Sequence, residues 1–156
     1  MQTIKCLSVR QPWAWLIVSG HKSLENRTWD TKYRGPLLIH ASARPDDDPD
    51  WLCSTIKHAK GIEFPAMPLG SIVGQVNLTG VITDSDDYFF DGPFAFQFTD
   101  PVQFERPIPL KGKLGLYEVL WPMPATKDAT KIKYYTPTII PKKSLLRQIA
   151  DLLTGQ

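Results

Sequence analysis

Cysteine is scarce in this chain. Only Cys6 and Cys53 occur in 156 residues, and they form neither a CxxC pair nor a zinc spacing with the three histidines. No disulfide framework or structural zinc module is therefore expected, only two reduced, partly buried thiols. Long apolar runs are missing too: none approaches the roughly 20 residues that cross a bilayer. The opening Met1-Gln2-Thr3-Ile4-Lys5-Cys6-Leu7 has no charged leader, long apolar stretch or small-residue cleavage site, so no signal peptide is expected. The expected location is intracellular: cytoplasmic, or nuclear in a eukaryote. Phosphate-binding Gly-rich loops, nucleophile elbows and metal-ligand sets are also absent, so no cofactor and no metal are expected. Asp46-Asp47-Asp48 has no convergent partner and reads as a solvated acidic loop, as do Asp84, Asp86 and Asp87.

What is present suits one domain of ordinary size. Hydrophobic residues make up 42% and charged residues 22%, enough core and near the globular norm. Net charge is only +2, but it is unevenly spread. Residues 1–44 carry +5, residues 45–105 carry −9, and residues 106–156 carry +6. Such asymmetry fits a basic face built from both ends of the chain, which would attract phosphates in a salt-dependent way. It fits equally a surface on which the charges intermix.

The pattern along the chain is that of an α+β domain. Thr3 to Val9 reads as an edge strand or lead-in. A short apolar helix starts at Pro12, where a missing N–H is harmless, and ends at Gly20. Residues 25–32 are polar, with a turn near Lys32-Tyr33-Arg34-Gly35. Leu37 to Ala41 reads as a buried strand. A helix is expected from about Asp50 to His58, its acids suited to the helix dipole. Ser71 to Thr83 is a long strand whose Gly74 and Gly80 suggest bends or bulges. Phe94 to Thr99 is a half-buried strand, and Val102 to Ile108 a separate one limited by its prolines. Leu114 to Leu120 is the last strand. Lys142 to Leu153 is an amphipathic helix. Residues 121–156 form a basic extension, its terminal helix packing on the domain of residues 1–120.

The stretch from Leu7 to Ser42 carries the chemistry. Trp13, Trp15, Trp29 and Tyr33 stand among Arg10, Lys22, Arg27, Lys32 and Arg34. Aromatics interleaved with cations suit base stacking and phosphate contact. Trp13 and Trp15 lie two apart on one helix and cannot share a face, so one belongs to the core and the other can reach a cleft. Lys22, Glu25 and Arg27 can contact phosphate or base edges, or can form an ion-pair cluster that only orders the loop. His40 lies in an apolar strand, as a hydrogen-bonded core histidine or as cleft lining. His21 and His58 read as surface residues.

Leu7-Ser8-Val9-Arg10-Gln11-Pro12-Trp13-Ala14, followed by Gly20-His21-Lys22-Ser23-Leu24-Glu25-Asn26-Arg27, resembles the ASCH domain, named for homology to an activating signal cointegrator. Gly20, Lys22, Glu25 and Arg27 fit its G-x-K-x-x-E-x-R pattern. Arg34-Gly35-Pro36-Leu37-Leu38-Ile39-His40-Ala41 looks like its second block, and Pro68 to Gly74 is similar to the start of its next long strand. The motifs cover about residues 7–42, and the strand order extends the resemblance to about residue 120.

The resemblance implies a PUA-like small β-barrel of five to six mostly antiparallel strands with two or three flanking helices. It implies a ligand of RNA, DNA, nucleoside or nucleotide class in a cleft formed by Gln11, Trp13, Lys22, Glu25, Arg27, Trp29, Arg34 and His40. No membrane partner is implied. It leaves an alternative, a small hydrolase. Some bacterial members of the family deacylate N-acylated cytidine, and others have been linked to ribonuclease activity. Lys22 would then be the base and Glu25 its acid/base companion acting on water. The amidohydrolase branch, however, has threonine where this chain has Glu25, which places that reading second. Ser23, Thr28 and Ser42 are the nearby hydroxyls that could replace it.

Overall fold

A computed structural model describes residues 2–123 and 129–155. Its main body is one six-stranded sheet in the order β2-β6-β5-β3-β1-β7. The strands are β1 (Gln2–Val9), β2 (Leu24–Arg27), β3 (Gly35–Ala41), β5 (Ser71–Ile82), β6 (Phe94–Pro109) and β7 (Leu116–Trp121). Two-residue strands β4 (Met67–Pro68) and β8 (Tyr134–Tyr135) pair separately. The helices are α1 (Trp13–Val18), α2 (Pro49–Lys60) and α3 (Lys142–Thr154). β1 and β3 run parallel, and the other neighbouring strands of the large sheet are antiparallel.

The sheet curls but does not close, which corrects the expectation of a barrel. Leu7 and Val9 of β1 share one buried cluster with Phe96 and Phe98 of β6, so the sheet wraps around a common core. Among the described residues no ladder joins β2 to β1 or β7. The Arg27 side chain crosses the gap instead, Nη2 donating to the Ser8 carbonyl at 2.8 Å. Side chains, not backbone, complete the circumference.

Three further expectations are corrected. β1 is an interior strand, paired on both sides, and not an edge. The polar block after Ser23 contains a strand, β2, against the start of β6. The two strands expected across residues 94–108 are one, β6, because its prolines fall where they do no harm. β2 covers only Phe94 to Gln97, so Pro101, Pro107 and Pro109 lie where one side of β6 needs no ladder donor.

Gly74 shapes the long strand. The pairing of β5 with β6 slips between Ile72 and Gly74 and again between Leu78 and Gly80. A Cβ at Gly74 would lie 2.2 Å from the Val102 carbonyl and 2.7 Å from a Val18 methyl. The missing side chain at Gly74 therefore lets α1 sit against the sheet.

The outer face of β1 and β3 carries a buried polar chain. His40 is 1% exposed, and its Nε2–H must donate to the Leu110 carbonyl at 2.6 Å. In the neutral ring Nδ1 then accepts from the Ser8 hydroxyl at 3.0 Å. Ser8 has spent its proton, so the Tyr117 hydroxyl donates to it at 2.9 Å. Cys6 hydrogen-bonds Tyr117 in turn. The backbone of Gly112 closes over this chain, since a Cβ there would meet Ser8 Oγ at 2.6 Å. Burial pushes the Cys6 thiol up to about 11 and the Cys53 thiol up to about 12. The segment before α3 is fastened to α2. Tyr135 donates to Asp50, the Thr138 N–H donates to Asp50 at 2.9 Å, and the Ile140 N–H donates to Ser54 Oγ at 2.7 Å. His58 Nε2 donates to the Ile140 carbonyl at 3.1 Å, so this histidine is a fastener more than a surface group.

Gly74→Ala should lower stability by at least about 2 kcal/mol, because backbone and a β-branched side chain cannot both retreat; thermal unfolding measures it. Burial, the largest influence, lowers the His40 pKa below the ordinary 6.5. As pH falls through that ordinary value the unfolded chain takes up a proton that native His40 refuses. Stability should therefore fall between about pH 7 and pH 5, and His40→Gln should flatten that part of the Tm profile. Both thiols should resist alkylation in the native protein and react after unfolding.

Candidate functional site

A cleft of about 1020 Å³ opens where the sheet fails to close. Three segments lead into it. Gly20, at φ +86°, follows the last turn of α1 and turns the chain sharply. The Lys22 N–H then donates to the Leu16 carbonyl at 2.9 Å, which sets the lysine beside the helix. β2 follows, and alternation along a strand puts Glu25 and Arg27 on one face.

These residues form a buried ion-pair cluster. Lys22 Nζ donates to Glu25 Oε1 at 2.9 Å and Arg27 Nη2 donates to Glu25 Oε2 at 2.9 Å. The lysine side chain is 2% exposed, the glutamate 10%, and the arginine 22%. Lys22 also lies under the Trp13 ring, 4.9 Å from its centroid. Trp13 is held in turn by Asp46, whose Oδ2 accepts from Nε1 at 2.8 Å. Arg10 pairs with Asp46 at 3.5 Å and with Asp47 at 3.4 Å. Glu25 has two partners for two oxygens. The guanidinium is thus the part of the cluster that meets the cleft. Arg27 Nε and Thr55 Oγ1, both of cleft-lining residues, are buried without a hydrogen-bond partner.

The candidate residues divide. Trp13, Lys22, Glu25, Arg27 and Trp29 all line the cleft. Trp29 packs edge-on against Phe96, centroids 5.1 Å apart. Trp15 is the core partner of the tryptophan pair, buried with Leu16, Cys53 and Ile56. Gln11 lies elsewhere: it is fully buried and bridges the Pro68 carbonyl and the Trp15 N–H at 3.0 and 2.9 Å. Arg34 is exposed and bonds the Thr31 and Tyr33 carbonyls. His40 is under the Gly112 backbone, not in the cleft.

Two walls escaped the sequence. α2 supplies Trp51, Leu52, Thr55 and Ile56. The loop before β6 supplies Tyr88, Phe89, Phe90 and Asp91. Three consecutive aromatics in an acidic loop were the signal for the second wall. Asp46, read as part of a solvated triplet, has a specific partner in Trp13. None of Lys111, Lys113, Lys142 and Lys143 lines this cleft.

The arrangement can stack a flat ring and offer a guanidinium, that of Arg27 at its base or Arg10 at its rim. It sets Lys22 Nζ 2.9 Å from Glu25 Oε1, and Glu25 stands where the amidohydrolase branch has threonine. Among the described residues no group of three or more His, Cys, Asp or Glu could hold a metal ion, and no helix is long and apolar enough to cross a membrane.

Comparison with known proteins follows the same lines. The chain is 33% identical over 127 residues to activating signal cointegrator 1 of Homo sapiens and 32% identical over 127 residues to that of Mus musculus. Each match covers 73% of this chain, which spans only 22% of the length of those relatives. A crystal structure of ASCH from Zymomonas mobilis aligns with a TM-score of 0.48 and 18% identity, over 75% of this chain and 87% of that one. The ASCH domain family matches residues 7–94, more than half of the chain and all three elements that lead into the cleft, and the protein belongs to that family.

Proposed function

We propose that the cleft binds nucleic acid or a nucleotide. The observation that carries this reading is the composition of the cleft walls. Six aromatic residues, Trp13, Trp29, Trp51, Tyr88, Phe89 and Phe90, line one concavity with the partly exposed guanidinium of Arg27. Aromatic faces stack bases of any sequence, and a guanidinium binds phosphate or a base acceptor in a fork. Lys22 and Glu25 act beneath the surface: they fix the Arg27 fork and carry the Trp13 ring. Gln11, Arg34 and His40 belong in this reading to the scaffold.

A hydrolytic use of the cleft would need Lys22 to pass a proton to Glu25 before it could act as a base. Binding needs no such transfer.

The test is a titration with short single-stranded RNA and DNA at two salt concentrations. Arg27→Ala should weaken binding by roughly tenfold or more at matched folded fraction, and should also lower stability, because Glu25 loses a partner and the seam loses its bridge. Lys22→Ala should weaken binding as well, at a cost of about 2 kcal/mol in stability, because a buried carboxylate loses one of its two partners. Unchanged binding in both variants, at matched folded fractions, would remove the ligand from this cleft.

A further inference from the structure

Asn26 sits inside the motif block, yet its amide does not serve the ion-pair cluster. It fastens the loop before β6. Asn26 Nδ2 donates to the Phe89 carbonyl at 2.9 Å, and Oδ1 accepts from the N–H groups of Asp91 at 2.8 Å and Gly92 at 3.0 Å. The same loop is held from two other sides. Phe89 meets Trp13 of α1 edge-on, centroids 6.4 Å apart, and Lys60 of α2 lies 4.9 Å from the Tyr88 ring centroid. The aromatic segment therefore bridges β2, α1 and α2 on one side of the cleft.

The charges of the lining point the same way. Arg10, Lys22 and Arg27 are matched by Glu25, Asp46 and Asp91. Arg10 is paired with Asp46 and Asp47, and both Lys22 and Arg27 with Glu25, so each cation of the lining has an acidic partner and no row of free cations runs along it. A track for a polyphosphate chain needs a row of free cations. At about 1020 Å³ the cleft is near the upper end of sites that take one small molecule, roughly 300–1,000 Å³.

We infer that Asn26 is a positioning residue that sets specificity: by clamping the Tyr88–Gly92 segment it makes the cleft a pocket for one base carrying at most one phosphate, not a groove for a run of backbone. This rests on the nucleotide-binding reading of the same cleft. A longer strand would place one nucleotide in the pocket and its neighbours against the rim, where the Arg10 side chain is 48% exposed and the contacts do not depend on Asn26.

The experiment is competition binding with the full chain. Adenosine, cytidine, guanosine and uridine 5′-monophosphates are each tested for displacement of a labelled single-stranded oligonucleotide at several salt concentrations. Wild type, Asn26→Ala and Asn26→Asp are compared, with Tm and near-ultraviolet circular dichroism recorded for each. At least one monophosphate should displace the oligonucleotide, and the oligonucleotide's own binding should fall with salt at a slope of about 0.7, the value for one neutralised phosphate of a single strand. Asn26→Ala should weaken the monophosphate roughly tenfold and the oligonucleotide much less, which a general loss of folding would not do. Asn26→Asp keeps the acceptor for Asp91 and Gly92, so it should recover part of the loss. Two results would overturn the inference and leave cleft binding standing: an oligonucleotide slope of several phosphates with no displacement by any monophosphate, or an unchanged affinity ratio in Asn26→Ala. Binding of neither ligand class would overturn the nucleotide-binding reading itself, and this inference with it.

Discussion

Between β2 and β1 the hydrogen-bond ladder stops, and the guanidinium of Arg27 takes its place. One nitrogen, Nη2, reaches the Ser8 carbonyl on one side of the gap and the Glu25 carboxylate on the other. Everything that makes the cleft depends on that substitution. A backbone ladder would have filled the seam and left no concavity. A gap without the bridge would have exposed the core that Leu7, Val9, Phe96 and Phe98 share. The buried charge is tolerable because Glu25 is satisfied from two directions, by Lys22 and by Arg27. The motif is thus part of the architecture before it is part of any recognition.

The seam also explains how rigid parts surround an open space. Trp13 is fixed by Asp46 above and Lys22 below. Trp29 leans on Phe96 in the core. These two tryptophans are thereby anchored from behind. Rings held in this way lose little freedom on stacking, which is how a concave aromatic wall reaches useful affinity with few polar contacts.

The sequence disclosed the motif side of the site and missed the opposite side, for physical reasons. Gly20, Lys22, Glu25 and Arg27 are close in the chain, so local spacing reveals them. β2 was unreadable because Leu-Glu-Asn-Arg has neither length nor alternation of hydrophobicity; only its pairing with β6 makes it a strand. β6 looked divided because prolines argue against a central strand, and nothing local says that β2 ends after four residues. Trp51 and Thr55 are ordinary residues of an amphipathic helix until its packing aims them at the seam. An apolar strand around His40 fits core and cleft equally. What decides for the core is Gly112, seventy-two positions away, whose missing side chain lets the backbone cover it.

The fastening of α2 by the segment from Tyr135 to Ile140 carries a consequence for where this domain can be cut. Asp50 and Ser54, which that segment binds, lie in the same helix as Trp51 and Thr55, which line the cleft. The wall is thus registered by residues far beyond the family block. A piece ending near residue 120 would keep every letter of the motif and still lose the tether that aligns one side of its cavity. The smallest unit that carries the motif and the smallest unit that carries the cleft are not the same length of chain.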